Sequence, residues 1–231
     1  MKRLIAYGDI HGCFNEFVEL RNSLNIQSGD IETCVGDVIT KGNDSIKTLR
    51  YIQQNNIQSV LGNHEDKLLR YIEHSQNSEN NPITLDEDEL TIIDNLSLDD
   101  IQFLKNLSLY LKFGSITILH GGLLNNQKLS DLTKKDKGKL LRLRYIDQKG
   151  KFIPYGEEGK NSQFWADLYD GSEGFVVYGH QTFEEVNISA NAMGIDTGCV
   201  YGNKLTAVAF NNLDPQDYSI HSVPLSLQVK S

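Results

Sequence analysis

The chain has 231 residues, a formal net charge of −9, and 39% hydrophobic and 23% charged residues. These values are ordinary for a soluble globular protein, so we expect residues 1–231 to form a single domain with a sizeable core. The negative net charge argues against a protein that attracts nucleic acid by long-range electrostatics. It does not exclude a phosphate substrate, because bound cations can invert the local potential.

The cysteines and the apolar runs indicate where such a chain works. Cys13, Cys34 and Cys199 are isolated and odd in number, which matches neither a disulfide framework nor a zinc motif. The apolar run over residues 4–7 is too short for a signal peptide, and no run approaches the length of a membrane span. We therefore expect a cytoplasmic protein in a reducing compartment, without a membrane partner.

The first third of the chain alternates strand and helix patterns. Apolar runs at 4–7, 31–35 and 57–61 predict buried strands, and the apolar spacing over 14–24 and 64–72 predicts helices. Strands that alternate with helices are typical of a layered α/β domain.

The remainder is less regular. A polar, asparagine-rich loop is predicted at 75–84, two short helices within 86–107, and strands at 116–119 and 175–178. From residue 190 to 223 the pattern becomes one of short strands separated by turns.

One pattern recurs at five predicted strand ends: a glycine beside a side chain that can bind a metal. It occurs in residues 7–12, 35–37, 61–65, 119–122 and 178–180. Ligand sites in α/β sheets lie at the carboxyl ends of strands, so five such ends can converge on one crevice. Glycine allows the backbone to approach closely or to adopt positive φ angles there.

The residue types in these segments match a two-metal site. Asp9 and His11 are two residues apart, so on an extended chain they point the same way and can bind one ion. Asp37 offers two oxygens and can bridge two ions, and further ligands for the second ion would be Asn63, His120 and His180. A mixed oxygen and nitrogen set suits manganese, iron or zinc better than calcium. A single Asp or His at a strand end is commonly a turn or cap residue, but six together favour a metal site.

These segments, in this order, resemble the calcineurin-like metallophosphoesterases, in particular the phosphoprotein phosphatase branch. The stretch 194–202 followed by 204–207 resembles the bacterial diadenosine tetraphosphatase type, and the resemblance covers the chain from about residue 3 to about residue 210. It implies that the single domain is a metallophosphoesterase with an α/β fold: a four-layer αββα sandwich of two mixed β-sheets flanked by helices.

The resemblance also implies roles for individual residues. The first metal would be bound by Asp9, His11 and Asp37, and the second by Asp37, Asn63, His120 and His180. His64 would be the general acid that protonates the leaving oxygen, and Lys41 and Arg144 would hold substrate phosphate. The implied cofactors are two divalent transition-metal ions, with manganese favoured and iron, zinc or cobalt as alternatives.

Two departures from the family pattern bear on the substrate. Most of the branch carries an aspartate at the position of Thr40, where it orients the catalytic histidine, and an arginine at the position of Lys41. A lysine can still meet phosphate, but as a point charge and not as a bidentate fork. Because a leaving phosphate titrates near roughly 6, it needs protonation less than the alkoxide of phosphoserine. The departures therefore favour an anhydride substrate. Lys41, together with the segment 196–202, most resembles the ApaH-like phosphatase subgroup.

We accordingly predict a dinuclear-metal phosphohydrolase in which a metal-bound hydroxide attacks phosphorus. The predicted substrates are phosphoanhydrides such as diadenosine tetraphosphate, other nucleoside polyphosphates or capped RNA ends. The alternative is a protein Ser/Thr or Tyr phosphatase with broad phosphomonoesterase activity. A non-catalytic metal- or nucleotide-binding module is a third interpretation, against which the intact ligand set and His64 argue. The expected partner is a phosphorylated small molecule or nucleotide, an RNA 5′ end or a phosphoprotein.

Several further residues admit two interpretations. Arg142 and the basic run over 134–144 could contact a polyanion, although a solvent-facing role is the simpler explanation. Tyr201 could stack on a base, with packing as the favoured alternative, whereas Trp165 is expected in the core. Asp196 could orient a ligand histidine, with turn formation as the alternative.

Overall fold

The computed structural model describes residues 2–77, 80–125 and 127–226. Its strands form two five-stranded sheets and a three-stranded sheet. The first sheet consists, in spatial order, of β13 (Tyr218–Pro224), β12 (Lys204–Asn211), β1 (Arg3–Tyr7), β2 (Ile31–Cys34) and β3 (Gln58–Ser59). The second consists of β10 (Asn187–Ile188), β11 (Ala192–Gly194), β9 (Phe175–Tyr178), β5 (Ile116–Leu119) and β4 (Tyr110–Phe113). The small sheet consists of β7 (Phe152–Ile153), β6 (Tyr145–Ile146) and β8 (Gln163–Phe164).

Helices occupy much of the remaining described chain. The α-helices are α1 (Phe14–Ser23), α2 (Ser45–Gln54), α3 (Asn63–Asn77), α4 (Glu87–Asn95), α5 (Leu98–Lys105), α6 (Lys134–Leu140) and α7 (Trp165–Leu168). Short 3₁₀ turns lie at Leu129–Asp131 and Cys199–Tyr201. None of the helices in the described ranges is long and apolar enough to cross a membrane.

Both large sheets are mixed. In the first, β1 pairs in parallel with β2 and antiparallel with β12. In the second, β9 pairs in parallel with both β5 and β11, and β4 pairs antiparallel with β5. The parallel pairs β1–β2 and β5–β9 each bring two carboxyl ends to the same edge of a sheet, which matters for the site described below.

The alternation of side chains in β1 shows how the layers are arranged. Leu4 belongs to a buried cluster that includes Ile118 of the second sheet, so this face of β1 packs against that sheet. Ile5, which points the other way, belongs to a cluster that includes Phe17 of α1. On the outer side of the second sheet, Tyr178 packs with Trp165 of α7. Two mixed sheets therefore lie face to face with helices outside, which confirms the predicted sandwich.

The structure corrects two predicted elements. Helix α3 continues to Asn77, so it replaces the start of the loop predicted at 75–84, of which residues 78 and 79 lie outside the described residues. The predicted strand at 57–61 is reduced to the two residues of β3. The reason is that the chain leaves the sheet ladder: the backbone N–H of Leu61 donates to the carbonyl of Ser108 at 2.8 Å.

Candidate metal centre and active site

The polar side chains of the glycine-flanked segments meet at one edge of the two sheets. Asp9 and Asp37 follow the carboxyl ends of β1 and β2, and His120 and His180 follow those of β5 and β9. Asp9, Asp37 and His120 are buried, and His180 is partly buried. A cavity of about 210 Å³ lies over this edge and is lined by residues that include Asp9, His11, Asp37, Lys41, Asn63, His64, Arg144 and His180.

Asp37 lies at the centre of these groups. Its Oδ2 atom is 3.3 Å from His120 Nε2, 3.7 Å from His11 Nε2 and 3.9 Å from His64 Nε2. Two sets of atoms that could hold a metal ion therefore share this carboxylate: His11, Asp37 and His64 on one side, and Asp37, His120 and His180 on the other. Within each set the ligand atoms lie within 4.8 Å of one another.

His120 shows why a cation suits this position. Its Nδ1 is 2.8 Å from the carbonyl of Val35, which can only accept, so Nδ1 carries the proton. In the neutral ring Nε2 then carries a lone pair, and it faces Asn63 Oδ1 at 2.9 Å and Asp37 Oδ2 at 3.3 Å. Burial lowers the pKa of His120 and the carboxylate of Asp37 raises it, with a net rise. A proton or a metal ion is thus favoured among these three acceptors.

His180 offers a second free ligand atom. Its Nε2 is buried, and it has no hydrogen-bond partner among the described residues. Burial, followed by the nearby His120 and Arg144, holds the pKa of His180 well below its ordinary value. The ring is therefore neutral, and neutral imidazole is the form that binds metal ions.

Asp9 completes a concentration of negative charge. Burial raises the pKa of Asp9, and so do the neighbouring carboxylates of Asp196 and Asp37. Asp9 Oδ2 is 4.0 Å from His11 Nε2 and accepts the backbone N–H of His180 at 3.1 Å. Buried carboxylates interleaved with neutral imidazoles fit divalent transition-metal ions, because such ions balance the charge and use the free lone pairs.

Five residues of the site have backbone angles in the left-handed region, which is unfavourable for residues other than glycine. They are His11 (φ 46°), Asp37 (48°), Thr40 (76°), Lys41 (64°) and His180 (65°). Conformations of this kind persist only where the surrounding structure enforces them, and they cluster at functional sites.

Gly62 is required by close approach to the central carboxylate. A Cβ atom at this position would lie 2.1 Å from Asp37 Oδ1. Any side chain there would push the strand ends apart, which explains a glycine directly before Asn63.

Glu65 is a residue to which the sequence analysis assigned no role. Its carboxylate, fully buried, accepts backbone N–H groups from Asp37 (3.0 Å), Val38 (2.9 Å), Ile39 (3.2 Å) and Gly62 (2.9 Å). It therefore shapes the turn that carries Asp37. The only sign of this role in the sequence is that Glu65 lies two residues after the proposed ligand Asn63. The sequence does not show that its carboxylate contacts the turn at Asp37, which is 28 residues away.

His64 is held from two sides. Its backbone N–H donates to Asp37 Oδ1 at 3.0 Å, and its Nδ1 is 2.9 Å from the hydroxyl of Thr40. Burial lowers the pKa of His64. Thr40 therefore keeps the ring oriented, as an aspartate would, but brings no negative charge to it.

The two expected phosphate-binding cations both line the cavity. Lys41 Nζ donates to His11 Nε2 at 2.9 Å, and Arg144 Nη2 donates to the carbonyl of His180 at 3.2 Å. Arg142 instead lies 3.4 Å from the carboxylate of Asp66.

The structure also shows the surroundings of Tyr201, Asp196 and Trp165. Tyr201 is 64% exposed and lines the cavity, so the expectation that it packs in the interior is wrong. Asp196 accepts the backbone N–H of Gly198 at 3.0 Å, as the turn interpretation predicts. It also accepts the hydroxyl of Thr182 at 3.0 Å, which ties this turn to the segment after His180. Trp165 is buried, as expected.

The cysteines that look isolated in the sequence are not all isolated in space. Cys13 and Cys199, with Glu16, form a buried group whose sulfur and oxygen atoms lie within 4.8 Å of one another. The hydrogen bond with Cys13, and burial, raise the pKa of the Cys199 thiol. The thiol is therefore unreactive, in agreement with the sequence analysis, which assigned it no nucleophilic role.

The chain is similar in sequence to proteins of one known family. The family model of the calcineurin-like phosphoesterases matches residues 2–216. Similar curated proteins are named bis(5′-nucleosyl)-tetraphosphatase PrpE (asymmetrical). That of Oceanobacillus iheyensis is 30% identical, over 88% of this chain and 86% of the relative. That of Anoxybacillus flavithermus is 31% identical, over 90% of each chain.

Solved structures show the same fold. A crystal structure provisionally named as a diadenosine tetraphosphatase superposes with a TM-score of 0.80 at 24% identity, over 97% of this chain and 94% of that one. A cold-active protein tyrosine phosphatase superposes with a TM-score of 0.60 at 16% identity, over 92% of this chain and 74% of that one. Together with the match over nearly the whole sequence, these findings show that the chain belongs to the calcineurin-like phosphoesterases, a family of metal-dependent phosphate-ester hydrolases.

Proposed function

We propose that the protein hydrolyses phosphoanhydride bonds in dinucleoside polyphosphates, of which diadenosine tetraphosphate is an example. The observation that carries this proposal is the hydroxyl of Thr40, 2.9 Å from His64 Nδ1, where a carboxylate would keep the ring protonated and ready to donate. A phosphate leaving from an anhydride needs that assistance least, because it titrates near roughly 6. The names of the similar curated proteins agree with this substrate class.

The ligand sets we propose differ from the two groups around Asp37 in two members. Asp9 replaces His64, which we assign as the general acid, and Asn63 joins the second set. One ion would be held by Asp9, His11 and Asp37, and the other by Asp37, Asn63, His120 and His180. Manganese is the ion we favour, with iron, zinc or cobalt as alternatives that the same oxygen and nitrogen ligands accept. When bound, such ions supply Lewis-acid stabilisation of charge on phosphate oxygens and make water a nucleophile near neutral pH.

The remaining residues position and protonate the substrate. The ammonium of Lys41 and the guanidinium of Arg144 both line the cavity, so they can hold phosphate oxygens from two sides. His64, whose Nε2 lies 3.9 Å from Asp37 Oδ2, would donate a proton to the departing oxygen. Thr40 would keep the ring in place during that transfer.

Phosphomonoester hydrolysis on a phosphoprotein is the rival activity. The solved protein phosphatases among the structural neighbours support it only at the level of fold, since their identity to this chain is 16% or less. Capped RNA 5′ ends contain the same anhydride linkage as dinucleoside polyphosphates and belong to the proposed substrate class.

A substrate panel tests the proposal. Purified protein loaded with manganese, cobalt, magnesium or zinc would be assayed on diadenosine tetraphosphate, capped RNA, polyphosphate and a phosphopeptide. We expect kcat/KM to be highest on an anhydride, and His64→Ala to lose more activity on the phosphopeptide than on the anhydride. A clear preference for the phosphopeptide would overturn the proposal, and an absence of metal-dependent hydrolysis of any of them would favour a binding module.

We also propose a cytoplasmic location. Cys13, Cys34 and Cys199 are all free and buried, which agrees with a compartment in which disulfides do not form. Fractionation of cells that produce the tagged protein would test this.

A further inference from the structure

The cavity over the metal ligands is too small for a whole nucleotide substrate. Its volume of about 210 Å³ lies below the roughly 300–1,000 Å³ of typical ligand sites. The base and sugar that the proposed function requires must therefore extend beyond this cavity, and its rim is one surface that they can reach. The inference below rests on that proposed function.

Two exposed tyrosines lie at this rim. Tyr155 is 82% exposed and Tyr201 is 64% exposed, and both line the cavity. They are the only aromatic residues among the exposed large apolar residues in the part of the chain that the structure describes. An exposed aromatic ring beside a polar site offers a flat face on which a base can stack.

Each ring lies beside one of the two proposed phosphate-binding cations. Lys41 Nζ is 5.1 Å from the centroid of the Tyr201 ring, and Arg144 Cζ is 5.1 Å from that of Tyr155. Both pairs also border the proposed metal ligands, because Lys41 donates to His11 and Arg144 donates to the backbone carbonyl of His180. A base is joined to its phosphate by a single sugar, so a ring next to a phosphate-binding cation is within its reach.

The backbone holds both rings at the rim. Tyr201 ends the short turn Cys199–Tyr201, which lies between two glycines with positive φ angles, Gly198 at 70° and Gly202 at 102°. Cys199, in the same turn, is buried and anchors it. Tyr155 lies between Pro154 and Gly156, which has a φ of 86°, in the connection from β7 to β8.

We propose that Tyr155 and Tyr201 are two base-stacking platforms, one for each nucleoside of a dinucleoside polyphosphate that spans the metal site. Stacking on an aromatic ring tolerates any base, because every base has a π face. The substrate class would therefore be defined by having an aromatic base at each end of the phosphate chain, and not by which base it is.

The test compares substrates with and without bases in single-residue variants. We would measure kcat/KM for diadenosine tetraphosphate and for inorganic tripolyphosphate in Tyr155→Ala, Tyr201→Ala and the corresponding phenylalanine variants. The ratio of the two values should fall about tenfold in each alanine variant, which is the effect of losing one stacked base. It should fall about 100-fold in the double variant and stay near the wild-type value in the phenylalanine variants, which keep the ring.

Leu98→Ala is the matched control, because Leu98 is an equally exposed apolar side chain (85%) that does not line the cavity. Inhibition constants for ADP and pyrophosphate in the same variants give the comparison without turnover of a second substrate. If the wild-type protein hydrolyses diadenosine tetraphosphate, the stacking inference is overturned when the alanine variants leave two ratios unchanged: that of kcat/KM for the two substrates and that of the inhibition constants for ADP and pyrophosphate. If the wild-type protein hydrolyses tripolyphosphate but not diadenosine tetraphosphate, the proposed function itself fails.

Discussion

Two buried carboxylates, Asp37 and Asp66, have surroundings of opposite kinds. The side chain of Asp66 is 4% exposed and is paired with three cationic groups: Lys137 at 2.7 Å, Arg142 at 3.4 Å and Arg70 at 3.7 Å. The side chain of Asp37 is 3% exposed and faces three imidazoles.

The difference separates an ion pair from our proposed ligand site. At Asp66 the chain balances the negative charge with its own ammonium and guanidinium groups, which join α3 to the segment around α6. At Asp37 the neighbours are imidazoles with lone pairs, a setting that fits the bound cation we propose. The basic run over 134–144 is explained in part by this pairing, since two of its cations hold Asp66.

The largest expected effect is that of Asp37→Asn. An amide cannot supply the charge that would bridge two ions, so we expect kcat/KM to fall by more than the roughly 10–100-fold typical of residues that only orient metal ligands. Metal content, measured by mass spectrometry, should fall with it. A variant that keeps both ions and its activity would contradict the central role of Asp37.

Removal of the metal should lower thermal stability. Ions that bind only the folded chain stabilise it by about 2.7 kcal/mol at 100 times their dissociation constant. For a chain of this length that corresponds to a shift in Tm of roughly 5–10 °C. Differential scanning fluorimetry of the manganese-loaded and chelator-treated protein would measure this, and Asp37→Asn should abolish most of the difference. Equal Tm values for the loaded and stripped wild type would argue against metal binding here.

Glu65→Gln should weaken metal binding without removing a ligand. One oxygen accepts the N–H groups of Asp37 and Gly62, and the other accepts those of Val38 and Ile39. Whichever oxygen the NH₂ group replaces, two of these four hydrogen bonds are lost, because an NH₂ group cannot accept them. We expect metal affinity to fall about 10–100-fold, as for other residues that orient ligands. Equilibrium dialysis with manganese would give the affinity. An unchanged dissociation constant would show that the turn holds its shape without Glu65.

Thr40→Val should have a smaller effect, confined to catalysis. It removes the hydroxyl beside His64 Nδ1, and a net hydrogen-bond contribution of about 0.5–1.5 kcal/mol corresponds to a roughly 2–10-fold fall in kcat. Thr48→Val is a matched control, because the buried hydroxyl of Thr48 has no hydrogen-bond partner in the described structure. Equal kcat values for the two variants would deny Thr40 its positioning role.

The smallest effect on function is expected from Asp66→Asn. Its metal content should match the wild type, whereas its free energy of unfolding should fall by about 1–3 kcal/mol, because three cations lose their charged partner. Urea denaturation would measure the change. Loss of metal from this variant would erase the distinction between the two carboxylates.

Local patterns in the sequence predicted some features of this fold and missed others. The strand alternation at Leu4 and Ile5 and the glycine-flanked segments are local patterns, and they led to the sandwich and to the edge at which the polar groups meet. The brevity of β3 was mispredicted because it depends on a contact with distant chain, the hydrogen bond from Leu61 to Ser108. The extension of α3 to Asn77 was also missed.

The residue types of the site and their order could be recognised from the sequence, because glycine and metal-competent side chains at strand ends leave a local signature. Which buried charges the chain balances with its own cations becomes visible only in the folded molecule. The tertiary structure also placed Glu65 against the turn that carries Asp37, Thr40 against His64, and Tyr155 at the rim of the cavity. These relations join residues that are far apart in the chain, and the physical reason is that burial and electrostatic pairing depend on distance in space.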